Sequence, residues 1–374
     1  MTRRVLFSLL VFGAFLLALE VLLATTHLFG ARKSWSEPDA LLGWRFTPNR
    51  TYWDARENDH AITGRINSFG WRDRARSLAK PRDTYRIAVI GDSFVEAFQV
   101  ELDSTFPAII ERQLNERSGQ RIEVLNFGRS GMTQTEELLL LSEVAGYSPD
   151  LVVVFFVPVN DVSEVSVETS DTALRPFYEI SPGGELALNT RFTESREYTI
   201  KAAVNQLKQH SALVSLVNQR YNLFRRHRRR NHIRAGQESG RGIGGALSLC
   251  TSTPDAVYAR NYKLNKRLIG EMAGYCRTNG MRFMLVCADW VYKTEDLARY
   301  AKIDPTFEAG YFEHDLENYA SALGIDYAGL QTPFERAYKA RGTPLHWQHW
   351  NYDGHRLVAA ELAARMNVMA QRSE

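Results

Sequence analysis

Cysteine is nearly absent from this chain. Three residues in 374, Cys250, Cys276 and Cys287, are too few for a disulfide scaffold and lack the paired spacing of a metal site. No internal repeat is present, which argues against solenoids and propellers. Charge of one sign is missing too. The 46 basic residues face 43 acidic ones, a formal net charge of +3, so nothing global points to nucleic acid. Long apolar runs are absent except at one place. After Met1-Thr2-Arg3-Arg4, Val5 to Leu23 is apolar apart from Ser8, Gly13 and Glu20. That is close to the roughly 20 residues that cross a bilayer, and longer than the about 7–15 apolar residues of a secretory signal. The small residues nearby, Ala24 and Thr26, make a poor cleavage pattern. The expectation is an uncleaved anchor in residues 1–24 with the bulk of the chain outside the cytoplasm. Arg3 and Arg4 before the run are balanced by Arg32 and Lys33 after it, so the charge rule for orientation gives little help.

Residues 25–83, rich in Trp, Arg and Asn, show no long periodic element and read as an arm wrapped on the domain through aromatic anchors. From Tyr85 the pattern alternates. Strands are expected at 85–91, 121–127, 150–157, 281–288 and 324–328. Helices are expected at about 104–117, 133–146, 255–279, 308–323 and 351–370. Such alternation argues for a parallel sheet covered on both faces. The rhythm breaks at about 162–254. There an amphipathic stretch near 197–224 runs into Arg225-Arg226-His227-Arg228-Arg229-Arg230 and then a Gly-rich segment to Gly245. A charge run of this kind is usually a solvated or disordered surface, and Arg225 to Arg234 is expected to be mobile and dispensable for chemistry. The sharper reading is contact with anionic lipid headgroups or an acidic polymer.

The chemistry-bearing residues fall at strand ends. Ile87-Ala88-Val89-Ile90 runs into Gly91-Asp92-Ser93, and a hydroxyl held at the carboxyl edge of a parallel strand is placed to act as a nucleophile. Asn126-Phe127-Gly128-Arg129-Ser130-Gly131 leaves the second strand as a Gly-rich turn, and Pro158-Val159-Asn160-Asp161 ends the third. The Ser93 and Gly131 N–H groups with the Asn160 amide are candidates for an oxyanion hole. A general base must come from the C-terminal segment His346-Trp347-Gln348-His349-Trp350-Asn351-Tyr352-Asp353-Gly354-His355, since an imidazole is the natural partner of a serine hydroxyl near neutral pH.

These four blocks, in this order, resemble the GDSL/SGNH hydrolase superfamily over about residues 84–373, interrupted by the 162–254 insertion. Gly43-Trp44 and Gly70-Trp71-Arg72-Asp73 ahead of the domain look like its membrane-anchored bacterial members. The resemblance implies an α/β fold, a three-layer α/β/α flavodoxin-like arrangement with a parallel sheet, behind one N-terminal transmembrane helix. It also implies Ser93 as nucleophile, His349 as base, and Ser93, Gly131 and Asn160 as the oxyanion hole, with no cofactor and no metal. Two departures stand out. Pro158 replaces a usual glycine, and His346 stands where an aspartate usually orients the catalytic histidine. Asp92, His346 and Asp353 are the candidates for supporting roles around His349.

The function expected is a membrane-anchored serine esterase, with O-acyl groups on carbohydrate as the favoured substrate. An O-acyltransferase acting on envelope polysaccharide would use the same site. A catalytically impaired polysaccharide-binding protein would follow if the missing aspartate had no substitute. The expected partners are an acylated carbohydrate and a membrane reached through residues 5–23, with no nucleic acid.

Overall fold

The chain opens with α1 (Thr2–Thr26), whose side chains are almost all exposed. Its mean hydropathy of 2.6 over 18 residues makes it long and apolar enough to cross a membrane. The computed structural model describes residues 2–117, 119–181, 183–237 and 243–371. After α1 the arm forms two small antiparallel hairpins. β1 (Ser36–Asp39) pairs with β2 (Gly43–Phe46), and β3 (Thr51–Asp54) with β4 (Ile62–Arg65). Their four-residue strands are too short to leave a periodic signal in the sequence.

The alternating region then delivers β5 (Thr84–Gly91), α2 (Ser93–Glu96), α3 (Phe106–Arg117), β6 (Arg121–Gly128), α4 (Gln134–Ala145), β7 (Leu151–Phe156) and α5 (Pro158–Glu164). The insertion holds the hairpin β8 (Phe177–Ile180) and β9 (Leu186–Asn189), followed by α6 (Arg196–His210) and α7 (Ala212–Gln237). The last part runs α8 (Ala256–Thr278), β10 (Arg282–Cys287), α9 (Thr294–Ile303), α10 (Tyr311–Leu323), β11 (Asp326–Gly329), α11 (Gln331–Arg341) and α12 (Tyr352–Gln371).

Five strands make one parallel sheet in the order β11-β10-β7-β5-β6. This is the doubly wound order of flavodoxin-like folds, and its switch point falls between β5 and β7. Strand side chains alternate between two cores. Ala88, Ile90, Val152 and Val154 pack with Leu140, Ile269 and Phe312 on one face, from α4, α8 and α10. Ile87, Val89, Val153 and Phe155 pack with Ile110 and Leu362 on the other, from α3 and α12. Both faces are covered, so the strands read as unbroken apolar runs rather than alternating ones. Among the exceptions inside the sheet is Arg86 of β5, fully buried, whose guanidinium donates to Glu123 of β6 at 2.7 Å and to the Tyr147 carbonyl at 2.6 Å.

All five expected strands are present within two residues of their expected ends. The single amphipathic stretch expected at 197–224 is instead two helices. Ser211 is extended at the joint, and Glu20 of α1 accepts from the Ala212 and Leu213 N–H groups at 2.8 and 3.0 Å, which starts a new helix there. The stretch Arg225 to Arg234, expected to be mobile, lies within α7, and residues 238–242 of the Gly-rich segment lie outside the described residues.

Candidate active site

Gly91 ends β5 where any side chain would collide. A Cβ there would stand 2.5 Å from Val95 Cγ2 and 3.0 Å from Phe155 Cβ. The chain therefore turns directly into Asp92, whose carboxylate caps α2 by accepting from the Phe94 N–H at 2.9 Å. Ser93 is the first residue of α2 and remains partly exposed. Gly128 ends β6 under the same constraint, since its Cβ would lie 2.2 Å from the Glu96 nitrogen. That contact seats the Gly-rich turn against α2. The Arg129 N–H donates to the Gly91 carbonyl at 3.0 Å, and the Ser130 N–H donates to the Glu96 carboxylate. Gly131 follows at φ +75°, a left-handed conformation that favours glycine.

Asn160 lies in the first turn of α5, which Pro158 starts. Proline is well suited to that position because its missing N–H has no helical partner, which accounts for its place where a glycine was expected. The Asn160 Nδ2 donates to Asp92 Oδ2 at 2.8 Å, so the end of β7 is tied to the Ser93 turn at the switch point of the sheet. Asp92 is buried, and its pKa is raised by burial against the opposing pull of its hydrogen bonds. Behind it, Gln134 donates to both Asp161 and Glu137. Burial pushes these two acids well up, reinforced by the charge of Asp92 on both and of Asp161 on Glu137.

His349 Nε2 is 2.8 Å from Ser93 Oγ. Its Nδ1 is 2.6 Å from Oε1 of Glu57, a residue of the arm in the loop between β3 and β4. The other oxygen, Glu57 Oε2, accepts from the His349 and Gln348 backbone N–H groups at 2.8 and 3.1 Å. The carboxylate is thus fixed by three donors while only 6% of its side-chain surface is exposed. Burial would raise the Glu57 pKa, but these bonds overcome it and hold the group below the ordinary range. Burial pulls His349 down, yet the hydrogen bond and charge of Glu57 outweigh it and hold the imidazole above its usual value.

The two neighbouring candidates for orienting His349 are engaged elsewhere. His346 Nε2 stands 2.9 Å from Asp289 Oδ2, at ion-pair distance though without hydrogen-bond alignment. Asp289 Oδ1 accepts from the Trp350 indole at 2.8 Å. Asp353 pairs with Arg356 on α12. Neither reaches His349 Nδ1, because Glu57 already occupies it. His355 is fully buried beside Phe106 and Trp350, and burial, with the charge of Arg72 and the other histidines, drives its pKa down to about 3.

Glu57 has no motif around it, and it lies 292 residues from His349 in sequence. The only hint was a vacancy, a histidine where an acid was needed. The arm is secured to the site at several points. Arg72, buried, donates to the Glu96 and Val100 carbonyls at 3.0 and 2.5 Å, and Arg129 donates to the Leu42 carbonyl at 3.1 Å. Beside Glu57, Asn58 Nδ2 donates to the Gln99 carbonyl at 3.1 Å and to the Tyr352 hydroxyl at 3.0 Å.

No family model and no curated protein sequence matches this chain. Solved structures similar to it include LAE5, an alpha/beta hydrolase enzyme from the metagenome of Lake Arreo. That match has 16% identity and a TM-score of 0.41, covering 75% of this chain and 94% of that one. TesA is similar at 12% identity and a TM-score of 0.38, covering 75% and 99%. A catalytic mutant of Axe2, an acetylxylan esterase from Geobacillus stearothermophilus, is similar at 12% identity and a TM-score of 0.40, covering 75% and 93%.

Proposed function

We propose that the chain is a serine esterase of the GDSL/SGNH type, held at a membrane by α1 with its catalytic part outside the cytoplasm, acting on O-acyl groups of a carbohydrate. The observation that carries this reading is the continuous array Glu57–His349–Ser93, with contacts of 2.6 and 2.8 Å. A carboxylate that accepts from Nδ1 fixes the tautomer in which Nε2 is free to take the serine proton.

In this reading Ser93 Oγ attacks the ester carbonyl as its proton passes to His349 Nε2, and Glu57 stabilises the imidazolium. The Ser93 and Gly131 N–H groups and the Asn160 amide receive the oxyanion. As the tetrahedral adduct collapses, the C–O bond to the alcohol breaks and His349 returns its proton to the leaving oxygen. Water, deprotonated by His349, then attacks the acyl-enzyme, and the acid is released as Ser93 regains its proton. The carbohydrate preference is supported by Trp347, two residues from His349 and 39% exposed, whose indole offers a face on which a sugar ring can stack.

The test is turnover of p-nitrophenyl acetate and of an acetylated oligosaccharide by the full-length protein, beside Ser93→Ala and His349→Ala. Both substitutions are expected to abolish turnover, and Ser93→Ala to abolish labelling by a fluorophosphonate. Undiminished labelling of folded Ser93→Ala would remove Ser93 from the mechanism. A reporter fused to the C-terminus and active only in the cytoplasm would reverse the orientation.

A further inference from the structure

The helix α7 carries a conspicuous set of exposed apolar side chains for which the active site has no use. Val217 is 61% exposed, Tyr221 57% and Phe224 60%. With the partly buried Leu213 they fall at i, i+4, i+8 and i+11, one stripe along an α-helix. The inward face of the same helix is marked by the buried Ala212 and Ser215, so beyond Leu213, which packs on α1, the stripe points away from the protein. Arg220 lies along its side and Arg228 at its C-terminal end. The Arg228 guanidinium stands 5.8 Å from the Phe224 ring centroid, and Arg220 Nη2 donates to the Phe29 carbonyl at 2.8 Å.

The position of this stripe relative to α1 is fixed by contacts. Glu20, one and a half turns before the end of α1, caps the first turn of α7 through the Ala212 and Leu213 N–H groups and the Ser211 hydroxyl. Leu19, Leu23 and Ala24 of α1 pack on Ala212, Leu213 and Leu216. By Arg220 the helix has reached Phe29, beyond the end of α1. It therefore leads past the exit of α1 rather than running back along it.

We infer that α7 lies on the surface of the bilayer that α1 crosses, with Val217, Tyr221 and Phe224 at the headgroup–acyl boundary and Arg220 and Arg228 on anionic lipid phosphates. Helices with an apolar stripe bordered by arginine occupy that boundary, with the apolar face about 5–10 Å deep. Long basic side chains can reach the phosphates while their stems stay in the apolar layer. Arg225 contributes less, because it is paired with Glu197. This surface would hold the catalytic part at a set height above the membrane. The inference rests on α1 crossing the bilayer, and the experiment separates the two.

Full-length protein carrying Val217→Cys, Phe224→Cys or, as a solvent-exposed control, Ile303→Cys is labelled with a nitrobenzoxadiazole probe. The three native cysteines are buried. It is then reconstituted into vesicles of phosphatidylglycerol and phosphatidylethanolamine at roughly 3:7. Aqueous dithionite is expected to bleach the probes at 217 and 224 about tenfold more slowly than the probe at 303. Combining Arg220→Glu with Arg228→Glu is expected to bring the 217 rate toward that of 303. Equal rates at all three positions in protein that floats with the vesicles would overturn the surface helix. Protein that does not float would overturn the anchor and the inference with it. Unchanged protection in the double Glu variant would overturn the assignment to anionic headgroups. Protection by an acidic polysaccharide in detergent, without protection in vesicles, would assign the face to a polymer instead.

Discussion

Replacing Glu57 by glutamine tests the proposed mechanism at its least expected point. The carboxylate accepts three hydrogen bonds, two from the Gln348 and His349 backbone N–H groups and one from His349 Nδ1. Glutamine offers one accepting oxygen and one donating nitrogen. Two backbone donors face one side and a single ring nitrogen faces the other, so the amide oxygen is held by the backbone and the NH₂ turns toward Nδ1. His349 must then accept at Nδ1 and carry its proton on Nε2, opposite Ser93 Oγ. A base in that tautomer cannot take the serine proton. The corresponding substitution in a serine protease lowers kcat about 10⁴-fold, or about 5 kcal/mol of transition-state stabilisation. A loss of that order in kcat is expected for Glu57→Gln, with KM little changed because Glu57 is placed away from the ester.

The pH dependence supplies a second readout with a definite sign. His349 must be neutral to act as a base, and Glu57 holds its pKa above the ordinary value of about 6.5. The wild-type acidic limb should therefore lie above that value. In Glu57→Gln the charge and the hydrogen bond that raise the pKa are gone while burial, which lowers it, remains. The residual activity should then keep its acidic limb to a lower pH. The assay is kcat and KM on p-nitrophenyl acetate from about pH 5 to about pH 9, with circular dichroism to establish folding. Activity within about fivefold of wild type, on an unshifted limb, would refute the argument that Glu57 sets the tautomer of His349.

Three further outcomes follow from other contacts. Asn160→Ala should lower kcat about 10²–10³-fold with KM nearly unchanged, as expected for a donor used on the oxyanion; steady-state kinetics on the same ester checks it. Gly128→Ala should destabilise the fold by about 1–3 kcal/mol, because its methyl would meet the Glu96 nitrogen at 2.2 Å; urea denaturation measures this. His346→Asp, which the sequence alone marks as restoring a missing acid, should instead lose stability and activity. It puts a second carboxylate beside the buried Asp289, and its thermal unfolding midpoint should fall below that of the wild type.

The parts of the site legible in the sequence are those governed by local rules. Gly91 and Gly128 must be glycines because backbone or side-chain atoms occupy the space a Cβ would need, and each follows an apolar strand. Such signals travel with the residue. The strands were legible for the same reason, since a sheet buried on both faces leaves unbroken apolar runs. Glu57 was not legible, because its role comes from the docking of a separate hairpin and any of the chain's acidic residues had equal standing before the fold was known. α9 and α11 were missed because they border the core only partly. Ser211 was missed because the break between α6 and α7 is stabilised from outside, by Glu20 of α1.

The origin of the orienting acid alters what the arm is for. In a loop that carries both acid and base, spacing along the chain sets their geometry. Here it is set by packing between elements, and the contacts are distributed accordingly. Asn58 anchors the Glu57 loop to Gln99 and Tyr352, and Tyr352 in turn donates to Glu101 at 2.6 Å. Arg72 holds the arm to the carbonyls at the end of α2 and beyond it. His349, the Ser93 turn and Glu57 are therefore tied to one another through the arm as well as through the sheet. In the proposed mechanism, loosening of the arm would separate Glu57 from His349 and lower turnover before the sheet lost any of its order. In the proposed mechanism, catalytic competence is a property of the docked arm, while the Ser93 turn and the sheet belong to the domain beneath it.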